Sequence, residues 1–204
     1  MLLIAKYINA GFQSASDEVI SFFNRRTDLH QKGIAFGNLA SKVSTDISLV
    51  AIDRSDLEAY ALSQLIMRGV NAGLNKYLEE NPLIQDCCPE NSLFVNPILN
   101  LQRYAPTEGF KQWHCDWTIS NEITEPMNRV LAWILYCNDV NSAGTEFFWQ
   151  KHCEEAERGK LIIFPAGISH IHRGRISKQE TKTIATGWIN AGNYDSYISR
   201  LANS

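Results

Sequence analysis

Residues 129–137 read RVLAWILYC: after Arg129 the chain is apolar at every position, with Val130, Ala132, Ile134 and Tyr136 on one alternating set and Leu131, Trp133, Leu135 and Cys137 on the other. A strand sends successive side chains to opposite faces, so this run predicts a strand covered on both sides. Around it, from residue 93 onward, the period is two. Strands are expected at 93–104, 112–117, 129–137, 145–149, 160–164, 170–175 and 181–190, parted by turn-rich segments such as Asn138-Asp139 and Asn141 to Gly144. Upstream the period is helical. In residues 55–80, Leu57, Tyr60, Ala61, Leu65, Ile66, Val70, Leu74, Tyr77 and Leu78 recur at helix spacing, Ser55 and Glu58 form a capping-box pattern, and Pro82 ends the run. A shorter amphipathic stretch, Asp17 to Arg26 with Val19, Ile20, Phe22 and Phe23, predicts a second helix. Many short strands after a helical lead-in predict a mainly β fold, a sandwich or barrel with flanking helices on one side. Helix 55–80 is expected to cover the strand at 130–136.

The chain has 204 residues, 45% of them hydrophobic, which is enough for one substantial core. One domain is expected over 1–204: a helical lead-in with short strands (1–92), the β core (93–190) and a C-terminal tail (191–204). The formal charge is -3 and no long run of one sign occurs, so a general nucleic-acid or membrane-surface binder is disfavoured. Six cations do gather between Arg158 and Lys182 (Arg158, Lys160, Arg173, Arg175, Lys178, Lys182) against Glu180 alone, and all of them except Lys182 are expected to be a solvated face. Five cysteines without a CxxC pair argue against a disulfide framework or zinc ribbon. The opening MLLIAKYI is interrupted by Lys6 before it can form a signal-peptide core, and no apolar run is long enough for a membrane span. A reducing compartment, the cytoplasm, is expected.

His114-Cys115-Asp116 carries the chemistry. On an extended strand residues i and i+2 share a face, so the His114 imidazole and Asp116 carboxylate converge while Trp113, Cys115 and Trp117 are expected to point away, as outer-face packing. A distant histidine would complete a two-His, one-carboxylate set that leaves open positions on an octahedral ferrous ion. His170 and His172 both have the parity for this role. His30 and His152 have no supporting neighbours. Lys182, Thr186 and Trp188 share one face of the last strand, and a lysine facing into an apolar barrel demands an anion. Asn100 and Gln102 share parity with Tyr104, which predicts a wet pocket.

The ordered string Leu101-Gln-Arg-Tyr104-Ala-Pro, Trp113-His114-Cys-Asp116, Ile134-Leu-Tyr136-Cys-Asn138, Gly159-Lys-Leu-Ile-Ile-Phe164-Pro165, His172-Arg-Gly174 and Lys182-Thr-Ile-Ala-Thr186-Gly-Trp188-Ile resembles the prolyl 4-hydroxylase-like iron(II)/2-oxoglutarate-dependent oxygenases. The resemblance covers residues 98–190. It implies a double-stranded β-helix (jelly-roll, cupin-like) core, with the N-terminal helices packed outside one sheet. It further implies Fe(II) held by His114, Asp116 and His172, which would carry the catalysis. Lys182 would pair with the C5 carboxylate of the cosubstrate 2-oxoglutarate, Tyr136 would hydrogen-bond the same carboxylate, and Tyr104 would line the pocket together with Thr186 and Trp188. The implied activity is hydroxylation of a C–H bond by O2, with decarboxylation of 2-oxoglutarate to succinate and CO2. A peptide or protein proline is the first expectation for the substrate, and a free amino acid or small metabolite the second. Arg173 and Arg175, read as lying near the mouth, would suit an acidic one. Two loops depart from the family pattern: glycine comes late in Ala105 to Phe110, and Asn141 to Glu146 lacks paired glycines. Two other classes remain open, a zinc hydrolase and a non-catalytic jelly-roll that binds metal or a 2-oxo acid. The hydrolase would need a nearby carboxylate base such as HExxH provides, and none is present.

Overall fold

Asn9 starts the first helix. Its side chain accepts a hydrogen bond from the Phe12 N–H at 2.9 Å, and helix α1 runs Ala10–Arg25, burying Phe12, Ala15, Ser16, Val19, Phe22 and Phe23 along one stripe. The helix thus begins well before the expected Asp17, because a cap and a stripe of small residues extend it where large apolar residues are sparse. Helix α2, Leu57–Glu80, is capped by Asp56, which accepts from the N–H groups of Glu58 and Ala59. Ser55 is therefore not the cap. Pro82 stops α2 by opening the short helix α3, Pro82–Asp86, at a position where a missing N–H costs nothing.

The computed structural model describes residues 3–35, 41–117 and 129–201. In chain order the strands are β1 (Ala5–Ile8), β2 (Gln31–Lys32), β3 (Lys42–Val43), β4 (Thr45–Val50), β5 (Leu93–Tyr104), β6 (Gly109–Phe110), β7 (Arg129–Tyr136), β8 (Val140–Phe147), β9 (His152–Ala156), β10 (Lys160–Pro165), β11 (His172–Gly174) and β12 (Lys182–Ala191). Seven form an antiparallel sheet in the order β1-β10-β7-β12-β5-β4-β2; three form a facing sheet, β11-β8-β9; β3 and β6 make a two-stranded ribbon. This is the expected jelly-roll core. The predicted strand at 112–117 is not formed: His114 makes a single bridge to His172, and Asp116 N–H turns to the Ala166 carbonyl at 2.9 Å. The two backbone bonds go to different segments, so no ladder builds.

Strand β7 is covered on both faces as predicted. Leu131, Trp133 and Leu135 join the cluster beneath the helices, while Ala132, Ile134 and Tyr136 join Phe147, Ile162 and Phe164 between the two sheets. The cover differs from expectation. At about 1.5 Å per residue α2 is long enough to cross the sheet, so it rests on β4, β5 and β10, and α1 packs across β7, β10 and β12. The tail at 191–204 includes a helix, α4 (Tyr194–Leu201), held by Phe94 against the Tyr194 and Tyr197 rings and by Asn96 donating to the Tyr197 hydroxyl at 3.0 Å.

Asn141 to Gly144, expected as a turn, belong to β8, and the β8–β9 ladder shifts register between Val140 and Thr145. A Cβ on Gly144 would lie 1.6 Å from the Glu154 carbonyl oxygen. The obstacle is backbone, so the strands must separate to relieve it. Gly144→Ala is expected to cost at least about 3 kcal/mol, roughly 6–12 °C in Tm for a chain of this size. A thermal melt at the wild-type temperature would show that β8 and β9 can part freely.

Candidate active site

The bridge between His114 and His172 builds the site. Their backbones exchange N–H···O bonds of 3.0 and 2.8 Å, which sets the two imidazole centroids 4.4 Å apart. One ligating atom from each of His114, Asp116 and His172 falls within 4.8 Å of the others, and His172 Nε2 lies 3.5 Å from Asp116 Oδ2. Cis ligands on an octahedral first-row ion, each bonded at about 2.1 Å, stand about 3 Å apart, so the spacing suits one shared ion.

Both rings carry a fixed tautomer. His114 Nδ1 lies 2.9 Å from the Gln112 carbonyl and His172 Nδ1 lies 2.9 Å from the His170 carbonyl. A carbonyl can only accept, so each Nδ1 carries the proton and each Nε2 keeps its lone pair for a metal. Burial pushes the His114 pKa down, and the nearby His172 and the Lys42 ammonium push it further, which keeps the ring neutral. Phe110 stacks on it at 3.7 Å. His170 is buried but stands outside this group; its backbone carbonyl, not its ring, serves the site by orienting His172.

These three side chains open onto a cavity of about 410 Å³, a size that suits a small ligand. Lys182 projects into it, 5% exposed, donating to the carbonyls of Ala143 at 2.6 Å and Arg175 at 3.0 Å. An ammonium has three N–H groups, so one remains for the cavity. Burial pulls its pKa down to about 8, and among the described residues no carboxylate pairs with it. Tyr104 bonds Gln102 Oε1 at 2.6 Å beneath this ammonium, Tyr136 bonds Thr145 Oγ1 at 2.7 Å, and Thr186 donates to the Trp133 carbonyl. Burial raises both phenol pKa values. All of the predicted pocket residues, Tyr104, Tyr136, Lys182, Thr186 and Trp188, line the same cavity, as do Asn100 and Gln102.

Three expectations are corrected. Cys115 and Trp117 line the cavity and do not face away, because the chain bends after Asp116 and strand alternation fails there; Trp113 does face outward, against Phe148 and Arg173. Arg173 and Arg175 do not serve the mouth: they pair with Glu146 at 2.9 Å and Glu155 at 3.8 Å. Lys160 is no solvated surface cation either; it is buried against Glu154. Sequence reasoning also missed four polar groups of the cavity. Thr145 shared a readable parity with Phe147. Arg129 opened an apolar strand and drew no notice, yet its guanidinium stacks 3.5 Å over Trp188 and reaches the Asp116 carbonyl only at 3.4 Å. Lys42 and Asp46 gave no signal at all.

A family profile described as the 2OG-Fe(II) oxygenase superfamily matches residues 99–190, the segment that contains His114, Asp116, His172 and Lys182. The match covers just under half of the chain and likens it to the 2OG-Fe(II) oxygenase superfamily. By that profile and the His-Asp-His group, the chain is a 2-oxoglutarate-dependent non-heme iron dioxygenase, and its cofactors are Fe(II), 2-oxoglutarate and O2. No curated protein sequence matches it. Solved structures do. The viral collagen prolyl hydroxylase of Paramecium bursaria chlorella virus 1, solved as a 2OG complex, is 18% identical at a TM-score of 0.65, over 93% of this chain and 96% of that one. A prolyl-4-hydroxylase from Pseudomonas putida is 12% identical, TM-score 0.64, over 93% and 92%. A Trichoplax adhaerens prolyl hydroxylase, in complex with a hypoxia inducible factor oxygen degradation domain peptide fragment, is 12% identical, TM-score 0.63, over 94% and 84%. At these identities the likeness establishes the fold. The donor set of this oxygenase, two neutral imidazoles and one carboxylate, fits Fe(II), and the carboxylate-free Lys182 fits the far end of a dicarboxylic 2-oxo acid.

Proposed function

We propose that His114, Asp116 and His172 hold the Fe(II), that Lys182, Tyr136, Tyr104, Thr186 and Trp188 bind 2-oxoglutarate, and that the enzyme hydroxylates a prolyl residue in a peptide or protein. The observation that carries this is the placement of a buried, acid-free ammonium in the same cavity as the histidine–carboxylate trio. When bound, the metal and cosubstrate with O2 deliver one oxygen atom into a substrate C–H bond while 2-oxoglutarate becomes succinate and CO2. The protein's part is positioning. The backbone carbonyls of Gln112 and His170 hold both Nε2 atoms toward the metal position. Lys182 neutralises the C5 carboxylate, and Thr145 can reverse its hydroxyl so that Tyr136 donates to that carboxylate. Trp188 and Phe164 wall the cavity.

Peptidyl proline is favoured over a free metabolite because prolyl hydroxylases share the fold, one of them with a bound peptide. We read the whole chain as one oxygenase domain. Among the described residues no helix is long and apolar enough to cross a membrane, and we place the protein in the cytoplasm, where its five free cysteines would stay reduced. The test is Fe(II)- and O2-dependent conversion of 2-oxoglutarate to succinate, followed by a search for peptides that gain one oxygen atom. Retention of 2-oxoglutarate without its consumption would instead make the protein a binding module.

A further inference from the structure

Lys42 and Asp46 form an ion pair on the cavity wall contributed by β3 and β4, outside the segment 99–190. Lys42 is 4% exposed, and among the described residues Asp46 is the only hydrogen-bond partner of its ammonium, so two of the three N–H groups are left to the cavity. The carboxylate is held from the other side by the Ser44 hydroxyl at 2.7 Å, and each oxygen keeps a lone pair. The arrangement is built: a Cβ on Gly33 would lie 2.0 Å from Ser44 Oγ and 2.9 Å from both Asp46 oxygens, so glycine leaves room for the cluster. A buried ion pair is a poor stabiliser compared with apolar side chains of similar size, which turns attention to what its unused donors and acceptors face.

With the iron balanced by Asp116 and the cosubstrate's C1 carboxylate, and Lys182 by its C5 carboxylate, the Lys42–Asp46 pair is neutral and offers donors beside acceptors. In an extended peptide the N–H and C=O of one residue point the same way. Resting on the oxygenase reading above, we propose that Lys42 and Asp46 are the subsite that docks the substrate main chain, Lys42 donating to a peptide C=O and Asp46 accepting from the N–H of the same residue.

The test uses the full chain with Fe(II), a library of short peptides each carrying one central proline, and free L-proline. The double variant Lys42→Met, Asp46→Leu removes the pair without leaving an orphan charge and is expected to fold, by its thermal melt, as well as wild type. It should raise KM for the hydroxylated peptides at least tenfold and move KM for 2-oxoglutarate less than twofold. A melting temperature that drops together with a rise in both KM values would mark a structural pair and overturn the subsite. So would an unchanged peptide KM, or wild-type enzyme that consumes 2-oxoglutarate yet hydroxylates no peptide in the library. Failure to consume 2-oxoglutarate at all would sink the oxygenase reading itself, a separate result.

Discussion

Asp116→Ala is expected to abolish iron retention, with the Fe(II) Kd rising by more than about two orders of magnitude and succinate formation falling to background. Groups that merely orient a metal ligand already cost about 10–100-fold when removed, and Asp116 is the one anion in the trio. Without it a divalent cation would face two neutral rings whose Nδ1 atoms are committed to carbonyls. The fold should survive. Asp116 is tied to the sheet through its backbone N–H to Ala166, and among the described residues its carboxylate makes only a 3.5 Å contact with His172. A Tm change of under about 3 °C, roughly 1 kcal/mol, is expected. Metal analysis after anaerobic loading reads the result, and a variant that keeps stoichiometric iron would remove Asp116 from the site.

Lys182→Ala should raise KM for 2-oxoglutarate by roughly two orders of magnitude, since breaking a buried charge pair costs about 2–5 kcal/mol. Burial lowers the Lys182 pKa from 10.5 to about 8, so the folded chain holds an ammonium that would be more comfortable in water. The unfolded lysine still binds its proton between these two values and the folded one does not. Stability therefore rises with pH across that window, and below pH 8 the buried charge costs about 3 kcal/mol. Removing the amine relieves that cost but strips donors from the Ala143 and Arg175 carbonyls, so the melting temperature should move little while cosubstrate affinity collapses. The same proton governs wild type. A dicarboxylate needs the charged amine, so KM for 2-oxoglutarate should be flat below about pH 8 and climb toward tenfold per unit above it. A KM independent of pH up to 10 would mean that Lys182 does not meet the carboxylate.

Much of this was legible because it rests on parity. Strand β12 presents Lys182, Thr186 and Trp188 to the cavity as alternation requires, and β7 divides its apolar residues between two clusters. The reading failed where parity stopped. Cys115 and Trp117 turned inward because a lone bridge, not a ladder, carries the ligand segment. The cap fell on Asp56 in place of Ser55, since the two side chains compete for the same N–H groups over one residue of difference.

Residue identity and spacing were enough to name His114 and Asp116 with two candidates for a third ligand, the inward lysine and the two-sheet core; the lysine and the core follow from alternation that repeats along a strand, whereas His114 and Asp116 lie where no strand forms. Folding in three dimensions chose His172 over His170, since the bridge to His114 aligns one ring with the site and leaves the other's carbonyl to orient it. It also brought Lys42, Asp46 and Arg129 to the cavity, and paired Arg173 and Arg175 outside it. Those positions are far apart along the chain and carry no periodic mark, so their meeting is set by how β3, β4, β7 and β11 pack.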